Sequence, residues 1–109
     1  MKSLDKEIAL KASAGNEMLA NQVLKLFIDQ SETYAKNIEE PLLSSDLEVL
    51  QKGLHKLHGA MKYIGAPVLL NLVEQVDGKI EQVTENELNT ICHQILAEIK
   101  QIRTLKEYN

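Results

Sequence analysis

Two histidines and a glycine stand close together in the segment HKLHGAMKYIG, which covers residues 55–65. His55 and His58 are three residues apart, and Gly59 follows the second histidine directly. A neutral imidazole, with an unperturbed pKa of about 6.5, has one free nucleophilic nitrogen at neutral pH. A nitrogen that accepts a phosphoryl group also needs access, a fixed orientation and nearby positive charge. The segment is therefore suited to phosphoryl transfer in which a partner protein provides the catalysis.

The residues around His55 predict that it faces solvent from the middle of a helix. At about 100° per residue, His55 projects about 130° from the middle of an apolar stripe. Gly59 lies one turn further on the same exposed side, where the missing side chain leaves a notch for the backbone of another protein. The stripe consists of Leu47, Leu50, Leu54, Leu57, Met61 and Ile64. The lysines that surround the exposed face and supply positive charge are Lys52, Lys56 and Lys62.

A metal ion held by His55 and His58 is the first alternative. Zinc needs one or two further ligands close by, and this segment contains no other histidine or cysteine. The Glu-x-x-His signature of di-iron bundles is also absent. The residues three before the histidines are Lys52, His55 and Thr90. We therefore expect no metal site.

A helical adapter that keeps the same fold but carries no phosphoryl group is the second alternative. His55 with Gly59 beside it favours phosphotransfer over this alternative. The third histidine, His93, lies beside Cys92 near an apolar stripe. We expect His93 to be structural, at the border of the core, and Cys92 to be a small buried hydrophobe.

The elements that must position His55 are helices, because apolar residues recur at steps of three and four along nearly the whole chain. The pattern predicts an all-α protein: an antiparallel up-down four-helix bundle with a short additional N-terminal helix as a lid across one end. The first helix is predicted from about Ser3 to Ala14, closed by Gly15, with Asn16 capping the next. The bundle helices other than the His55 helix carry apolar stripes formed by Leu19, Val23, Phe27, Tyr34 and Ile38, by Leu69, Leu72, Val73, Val76 and Ile80, and by Leu88, Ile91, Ile95, Ile99 and Ile102.

Prolines, glycines and capping patterns predict where these helices begin and end. Pro41 should end or kink the second helix. Ser45 and Glu48 have the spacing of a capping box that opens the third helix, which Gly65 should end. Pro67 suits the first turn of the fourth helix.

The region before the last helix contains a further capping box, formed by Thr84 and Glu87. Gly78 interrupts the pattern of the fourth helix. If the helix ends there, Ile80 and Val83 would pack from a loop.

Composition restricts the function classes. The length of 109 residues fits one domain, residues 1–109, and the net charge of −4 gives no general reason to approach nucleic acid or anionic lipid. Aromatic residues make up 4% and tryptophan is absent, which argues against stacking on single-stranded nucleic acid. The single cysteine fits a reducing compartment, and the first residues lack the apolar core of a signal peptide. We expect a monomeric cytoplasmic domain that contacts neither nucleic acid nor membrane.

The run His55-Lys56-Leu57-His58-Gly59, followed after five residues by Gly65, resembles the signature of histidine phosphotransfer (HPt) domains, His-x-Leu-Lys/His-Gly-x5-Gly. The resemblance covers roughly residues 4–100. The HKLHG variant followed by Y-x-G-x-P is most similar to the C-terminal HPt domains of BarA-type hybrid sensor kinases.

This resemblance implies a phosphorelay function. His55 would receive a phosphoryl group from the aspartyl-phosphate of one receiver domain and pass it to another, without kinase activity of its own. The chain would need no cofactor, and Mg²⁺ would belong to the partner receiver. The domain could be free-standing or the cytoplasmic end of a membrane-anchored kinase. The residues expected to contact the partner or the phosphoryl group are Gly59, His58, Lys62, Lys56 and Lys52.

The chain departs from the commoner family pattern at His58, where most members have lysine. A histidine there can still hydrogen-bond a phosphoryl oxygen, but imidazole is mostly uncharged at neutral pH. Lys62, one turn further along, would make up part of the difference.

Overall fold

The computed structural model describes residues 1–108, which form five α-helices and one short 3-10 helix. In chain order these are α1 Lys6–Ala12, α2 Glu17–Leu43, α3 Leu47–Ala60, α4 Pro67–Val76, the 3-10 helix Ile80–Gln82 and α5 Glu85–Leu105. Helix α2 packs against α3 and α5, and α4 completes the bundle between them. The described residues contain no strand, so the predicted all-α bundle with an additional N-terminal helix is confirmed. In this part of the chain, no helix combines the length and apolar character that crossing a bilayer requires.

Local capping patterns start three of the helices where the sequence predicts them. Asn16 accepts a hydrogen bond from Leu19 N at 3.0 Å at the start of α2. Thr84 and Glu87 form the reciprocal capping box at the start of α5, with both hydrogen bonds at 3.0 Å. Pro67 occupies the first turn of α4. The first N–H groups of a helix have no partner within the helix, and each of these patterns satisfies or removes one of them with a residue of the same turn. Such patterns can therefore be recognised from sequence alone.

Helix α1 is shorter than the predicted range from Ser3 to Ala14. Asp5 is its N-cap, and one carboxylate oxygen accepts a hydrogen bond from Glu7 N at 3.0 Å. Gly15 follows the helix with φ of 78°, and its N–H donates to Leu10 O at 2.7 Å. The glycine therefore closes the end of α1 as predicted.

The start of α3 differs from the prediction. Asp46 is the N-cap, and its carboxylate accepts a hydrogen bond from Val49 N at 3.2 Å. Ser45 has φ of 56° and lies in the turn after Ser44, the C-cap of α2. A residue in this left-handed conformation cannot serve as an N-cap, which requires a negative φ. The predicted capping box between Ser45 and Glu48 is therefore wrong.

The end of α3 is also earlier than predicted, at Ala60 rather than at Gly65. Gly65 has φ of 62°, and its carbonyl accepts a hydrogen bond from Asp5 N at 2.7 Å. A Cβ at Gly65 would lie 2.5 Å from Asp5 O and 2.8 Å from Ala9 N. The segment after α3 therefore packs directly against α1, which lies as a lid across this end of the bundle. This contact between distant parts of the chain draws the segment out of the helix.

The predicted apolar stripes form the core or pack against it, except at two helix ends. Leu47, the first residue of α3, is 52% exposed, and Leu19, in the first turn of α2, is 43% exposed. Cys92 is fully buried as expected, and burial raises the pKa of its thiol to about 11. Ile80 and Val83 are half-buried and pack on the core from beyond α4. The buried stripe residues are Phe27, Tyr34, Ile38, Leu50, Leu54, Leu57, Met61, Ile64, Leu69, Val73, Val76, Leu88, Ile95, Ile99 and Ile102.

Helices α2 and α3 are in backbone contact at Gly53. A Cβ at this position would lie 2.3 Å from the backbone oxygen of Asn37 in α2. Pro41 is buried inside α2, which continues past it to Leu43. Because proline has no N–H, it offers no donor to the carbonyl four residues earlier, which is that of Asn37. The carbonyl that lacks this donor is thus the one against which Gly53 packs.

Substitution of Gly53 by alanine should lower stability, whereas the same substitution at Gly59 should not. The new methyl group at residue 53 would meet the Asn37 carbonyl, and overpacking of this kind costs about 1–3 kcal/mol. Gly59 has nothing within 4 Å of the added Cβ, so alanine there should raise the free energy of unfolding by up to about 1 kcal/mol. Urea unfolding of both variants measures the difference. Equal effects of the two substitutions would contradict the role assigned to Gly53.

Candidate functional site

His55 lies in the middle of α3 with its side chain 81% exposed, and its contact to another helix is through Asp77. The distance from His55 Nδ1 to Asp77 Oδ2 is 3.3 Å. His58 Nδ1 lies closer to the same oxygen, at 2.7 Å, and its side chain is 35% exposed. One carboxylate oxygen therefore contacts both histidines of the segment that contains the predicted site.

Asp77 is the C-cap of α4 and is held from α3 by Gln51. The Gln51 amide nitrogen donates to Asp77 Oδ1 at 2.7 Å, and the Gln51 amide oxygen accepts a hydrogen bond from Gly78 N at 3.0 Å. Gly78 has φ of 73°, which lets the chain turn away at the end of α4. The break in the α4 pattern at Gly78 thus marks the point where Gln51 of α3 is hydrogen-bonded to the end of α4. We call Asp77, Gln51, His55 and His58 the Asp77 cluster.

The ionisation of Asp77 decides which nitrogen of each histidine carries a proton. Burial raises the pKa of Asp77. Hydrogen bonds from His58, Gln51 and His55 together lower it by more than burial raises it, so the pKa lies below the ordinary value of 3.8. At neutral pH the carboxylate is ionised and can only accept hydrogen bonds. Each histidine therefore donates from Nδ1–H, and in the neutral ring Nε2 keeps its lone pair.

The other predicted site residues are arranged around the exposed side of α3. Gly59 is exposed and has open space where a side chain would lie. Lys52 and Lys56 are exposed on α3, and Lys52 Nζ lies 3.7 Å from the carboxylate of Glu48. Lys62 lies beyond the end of α3, with Nζ 5.8 Å from the centre of the Tyr63 ring. The lysine that the sequence placed on the helix therefore projects from the connection that follows it.

Asp77 and Gln51 are the site residues that sequence reasoning missed. Gln51 precedes His55 by four residues, so both project from neighbouring positions on one side of the helix. Asp77 stands next to Gly78, where the α4 pattern breaks. These two signals are visible in the sequence, but nothing in it indicates that residues 26 apart form a hydrogen bond.

The third histidine lies away from this cluster. His93 is exposed on α5, and its Nδ1 is 2.8 Å from Asn89 O one turn earlier. It is thus at the surface and not at the predicted core border. Within residues 1–108, no group of three or more histidine, cysteine, aspartate or glutamate side chains is arranged to hold a metal ion.

Comparison with known proteins identifies the family of this chain. The family model described as the Hpt domain matches residues 22–105. The chain belongs to the Hpt domain family. Hpt domains are phosphocarrier modules of two-component phosphorelays, without catalytic activity of their own, and their partners are receiver domains. The phosphorelay function predicted from the sequence is confirmed at this level.

Curated relatives of this Hpt domain are sensor kinases. The chain is 32% identical over 85 residues to the signal transduction histidine-protein kinase BarA of Escherichia coli K12, a match that covers 78% of this chain and 9% of BarA. It is 28% identical over 96 residues to the sensor protein GacS of Pseudomonas syringae pv. syringae, which covers 85% of this chain and 11% of GacS. The chain thus spans about a tenth of the length of these relatives.

A solved structure has the same fold as this Hpt domain. The HPT domain of a sensor hybrid histidine kinase from Shewanella superposes with a TM-score of 0.87 at 23% sequence identity. The match covers 95% of this chain and 90% of the other. At this identity the likeness establishes the shared helical bundle.

The pKa of Asp77 should rise when His58 is replaced by leucine, which has no hydrogen-bond donor. In the wild-type protein the carboxyl group should titrate below 3.8, because hydrogen bonds favour its charged form. Loss of the His58 hydrogen bond should move the midpoint upward, which the ¹³C shift of the Asp77 carboxyl carbon reports during a pH titration. Lys62→Gln is a control that should leave the midpoint in place. An unchanged midpoint in His58→Leu would contradict the contribution of the His58 hydrogen bond.

Proposed function

We propose that His55 is the phosphoacceptor of this Hpt domain and that the phosphoryl group binds at Nε2. The observation that carries the proposal is the exposed imidazole in the middle of α3, with Nδ1 directed to Asp77. This contact leaves Nε2 unprotonated in the neutral ring, so that its lone pair is free to attack.

The transfer step needs no proton to leave His55. The Nε2 lone pair attacks the phosphorus of a receiver aspartyl-phosphate, the new N–P bond forms, and the bond from phosphorus to the aspartate oxygen breaks. The receiver carboxylate departs with the electron pair, and the imidazole ring becomes positively charged while Nδ1 keeps its proton. Transfer to the next receiver reverses these steps. The hydrogen bond from Nδ1 to Asp77 becomes charge-assisted in the phosphorylated ring and strengthens.

His58 and the lysines would stabilise the charge on the phosphoryl group in different ways. His58 donates its Nδ1 proton to Asp77, so a neutral His58 has no second proton to offer. It can donate to a phosphoryl oxygen from Nε2 only when it is an imidazolium. The ordinary pKa of lysine is well above neutral, so lysines supply a positive charge that does not depend on pH near 7. The lysines proposed for this role are Lys52, Lys56 and Lys62.

The wider setting of the domain is also a proposal. We propose that residues 1–109 form one monomeric Hpt domain that acts in the cytoplasm, free-standing or at the end of a hybrid sensor kinase. The likeness to short regions of BarA and GacS supports the second arrangement. Receiver domains would be its partners, nucleic acid and membrane would not, and Mg²⁺ would be bound by the receiver.

Substitution of His55 by glutamine should abolish phosphate uptake. After mixing with a phosphorylated receiver domain, the wild-type protein should carry acid-labile, base-stable phosphate, and His55→Gln should carry none. His93→Gln, at an exposed histidine of α5 away from the Asp77 cluster, is the matched control that should retain it. Radiolabelled phosphate on the separated proteins measures the outcome. Phosphate that persists in His55→Gln would assign the acceptor elsewhere. Absence of phosphate from every protein, including the wild type, would favour the adapter alternative.

A large side chain at Gly59 should block transfer without unfolding the domain. Gly59→Leu adds a side chain into open space beside His55, so the bundle should keep its stability while the approach of a receiver is hindered. We expect transfer to slow by at least about tenfold, as loss of productive geometry commonly produces. Circular dichroism checks the fold, and Gly59→Ala is the smaller control. Normal transfer by the folded leucine variant would show that docking does not need the notch.

A further inference from the structure

Gln51 connects two helices through both ends of its side-chain amide. Its nitrogen donates to Asp77 Oδ1 at 2.7 Å, and its oxygen accepts from Gly78 N at 3.0 Å. The side chain is half-buried, and both of its partners lie directly after α4. Gln51 therefore holds the orientation of the Asp77 carboxylate and the backbone that carries it.

This orientation decides what the histidines meet. With Oδ1 bound to Gln51, the other carboxylate oxygen, Oδ2, contacts His58 at 2.7 Å and His55 at 3.3 Å. The 3.3 Å contact is at the long end of hydrogen-bond distances, so a small rotation of the carboxylate would break it. The short contact to His58 would tolerate the same rotation better. Of the two histidines, His55 thus depends more on a fixed carboxylate.

The position of Gln51 in α3 makes it suited to this task. It precedes His55 by four residues, one helical turn, so the distance between the two side chains is set by a rigid helix. Asp77 belongs to a different helix, and without Gln51 its carboxylate would be held to α3 only by the histidines themselves. The Gln51 amide thereby fixes the position of the end of α4 relative to His55, the residue that would carry the phosphoryl group.

We propose that Gln51 is a positioning residue for phosphotransfer, which acts on His55 by holding Asp77 Oδ2 towards Nδ1. The proposal rests on the assignment of His55 as the acceptor. In the absence of the amide, the carboxylate rotates, the Nδ1–H tautomer of His55 is no longer favoured, and less of the protein has a free Nε2 lone pair. Gln51 does not touch the phosphoryl group at any step.

The test compares Gln51→Leu with Gln75→Leu. Gln75 is an exposed glutamine whose amide donates to Asn71 one turn earlier in α4, at 2.9 Å, so its loss removes a similar hydrogen bond outside the Asp77 cluster. The ¹⁵N shifts of the His55 ring, recorded where imidazole is neutral, report the tautomer without any phosphorylation. In Gln51→Leu they should move from the Nδ1–H form towards a mixture of the two tautomers. Gln75→Leu should match the wild type.

Transfer from a phosphorylated receiver is the second measurement. Gln51→Leu should slow transfer by about three- to tenfold, the range that loss of one ordinary hydrogen bond produces. In an Asp77→Ala background, which leaves no acceptor for the Gln51 amide, the same substitution should have no further effect, because its action passes through Asp77. Gln51→Met, which keeps the length of the side chain but offers no donor to Asp77, should behave like Gln51→Leu and serves if the leucine variant does not fold.

Two results would overturn the proposal. One is a His55 ring with wild-type ¹⁵N shifts in the folded Gln51 variants. The other is a loss of rate that adds fully to that of Asp77→Ala, which would indicate an independent structural effect. If the wild-type domain takes no phosphoryl group on His55, the assignment of the acceptor fails, while the tautomer measurement still decides whether Gln51 positions the ring.

Discussion

The hydrogen that takes the place of a side chain at Gly53 allows α3 to lie directly against the backbone of α2. The carbonyl at this contact belongs to Asn37, which Pro41 leaves without an N–H donor at the usual position. His55 follows Gly53 by two residues, or about 200° around the helix. The side of α3 that is pressed against α2 is therefore opposite the side that presents the imidazole. Exposure of His55 follows from the packing of the helix that carries it.

The buried, ionised carboxylate of Asp77 places a negative charge beside both histidines of the site. Its side chain is only 8% exposed, and an ionised group in such a place needs hydrogen-bond donors. Gln51, His58 and His55 provide them. His58 thus gives its Nδ1 proton to Asp77. In the neutral ring it has no second proton for an incoming phosphoryl group.

Parts of the structure that depend on adjacent residues could be predicted from the sequence, and parts that depend on distant contacts could not. The capping box at Thr84 and the exposure of His55 follow from spacing within one or two helical turns. The end of α3 was misplaced because Gly65 packs against α1, far away in the chain. Gln51 and Asp77 were missed for the same reason, since their hydrogen bond joins α3 to the end of α4. A helical pattern predicts which face is buried, but it does not identify the polar partner across an interface.

The two glycines of α3 are under different physical constraints. Gly53 is required by the fold itself, since any side chain there meets the backbone of α2. A Cβ added at Gly59 would meet no other atom within 4 Å among residues 1–108, so packing within the domain does not require glycine there. A descendant that lost its signalling partner but still folded would keep the first glycine and drift at the second. The pair therefore offers a way to recognise, among diverged copies of this domain, those that have left the phosphorelay.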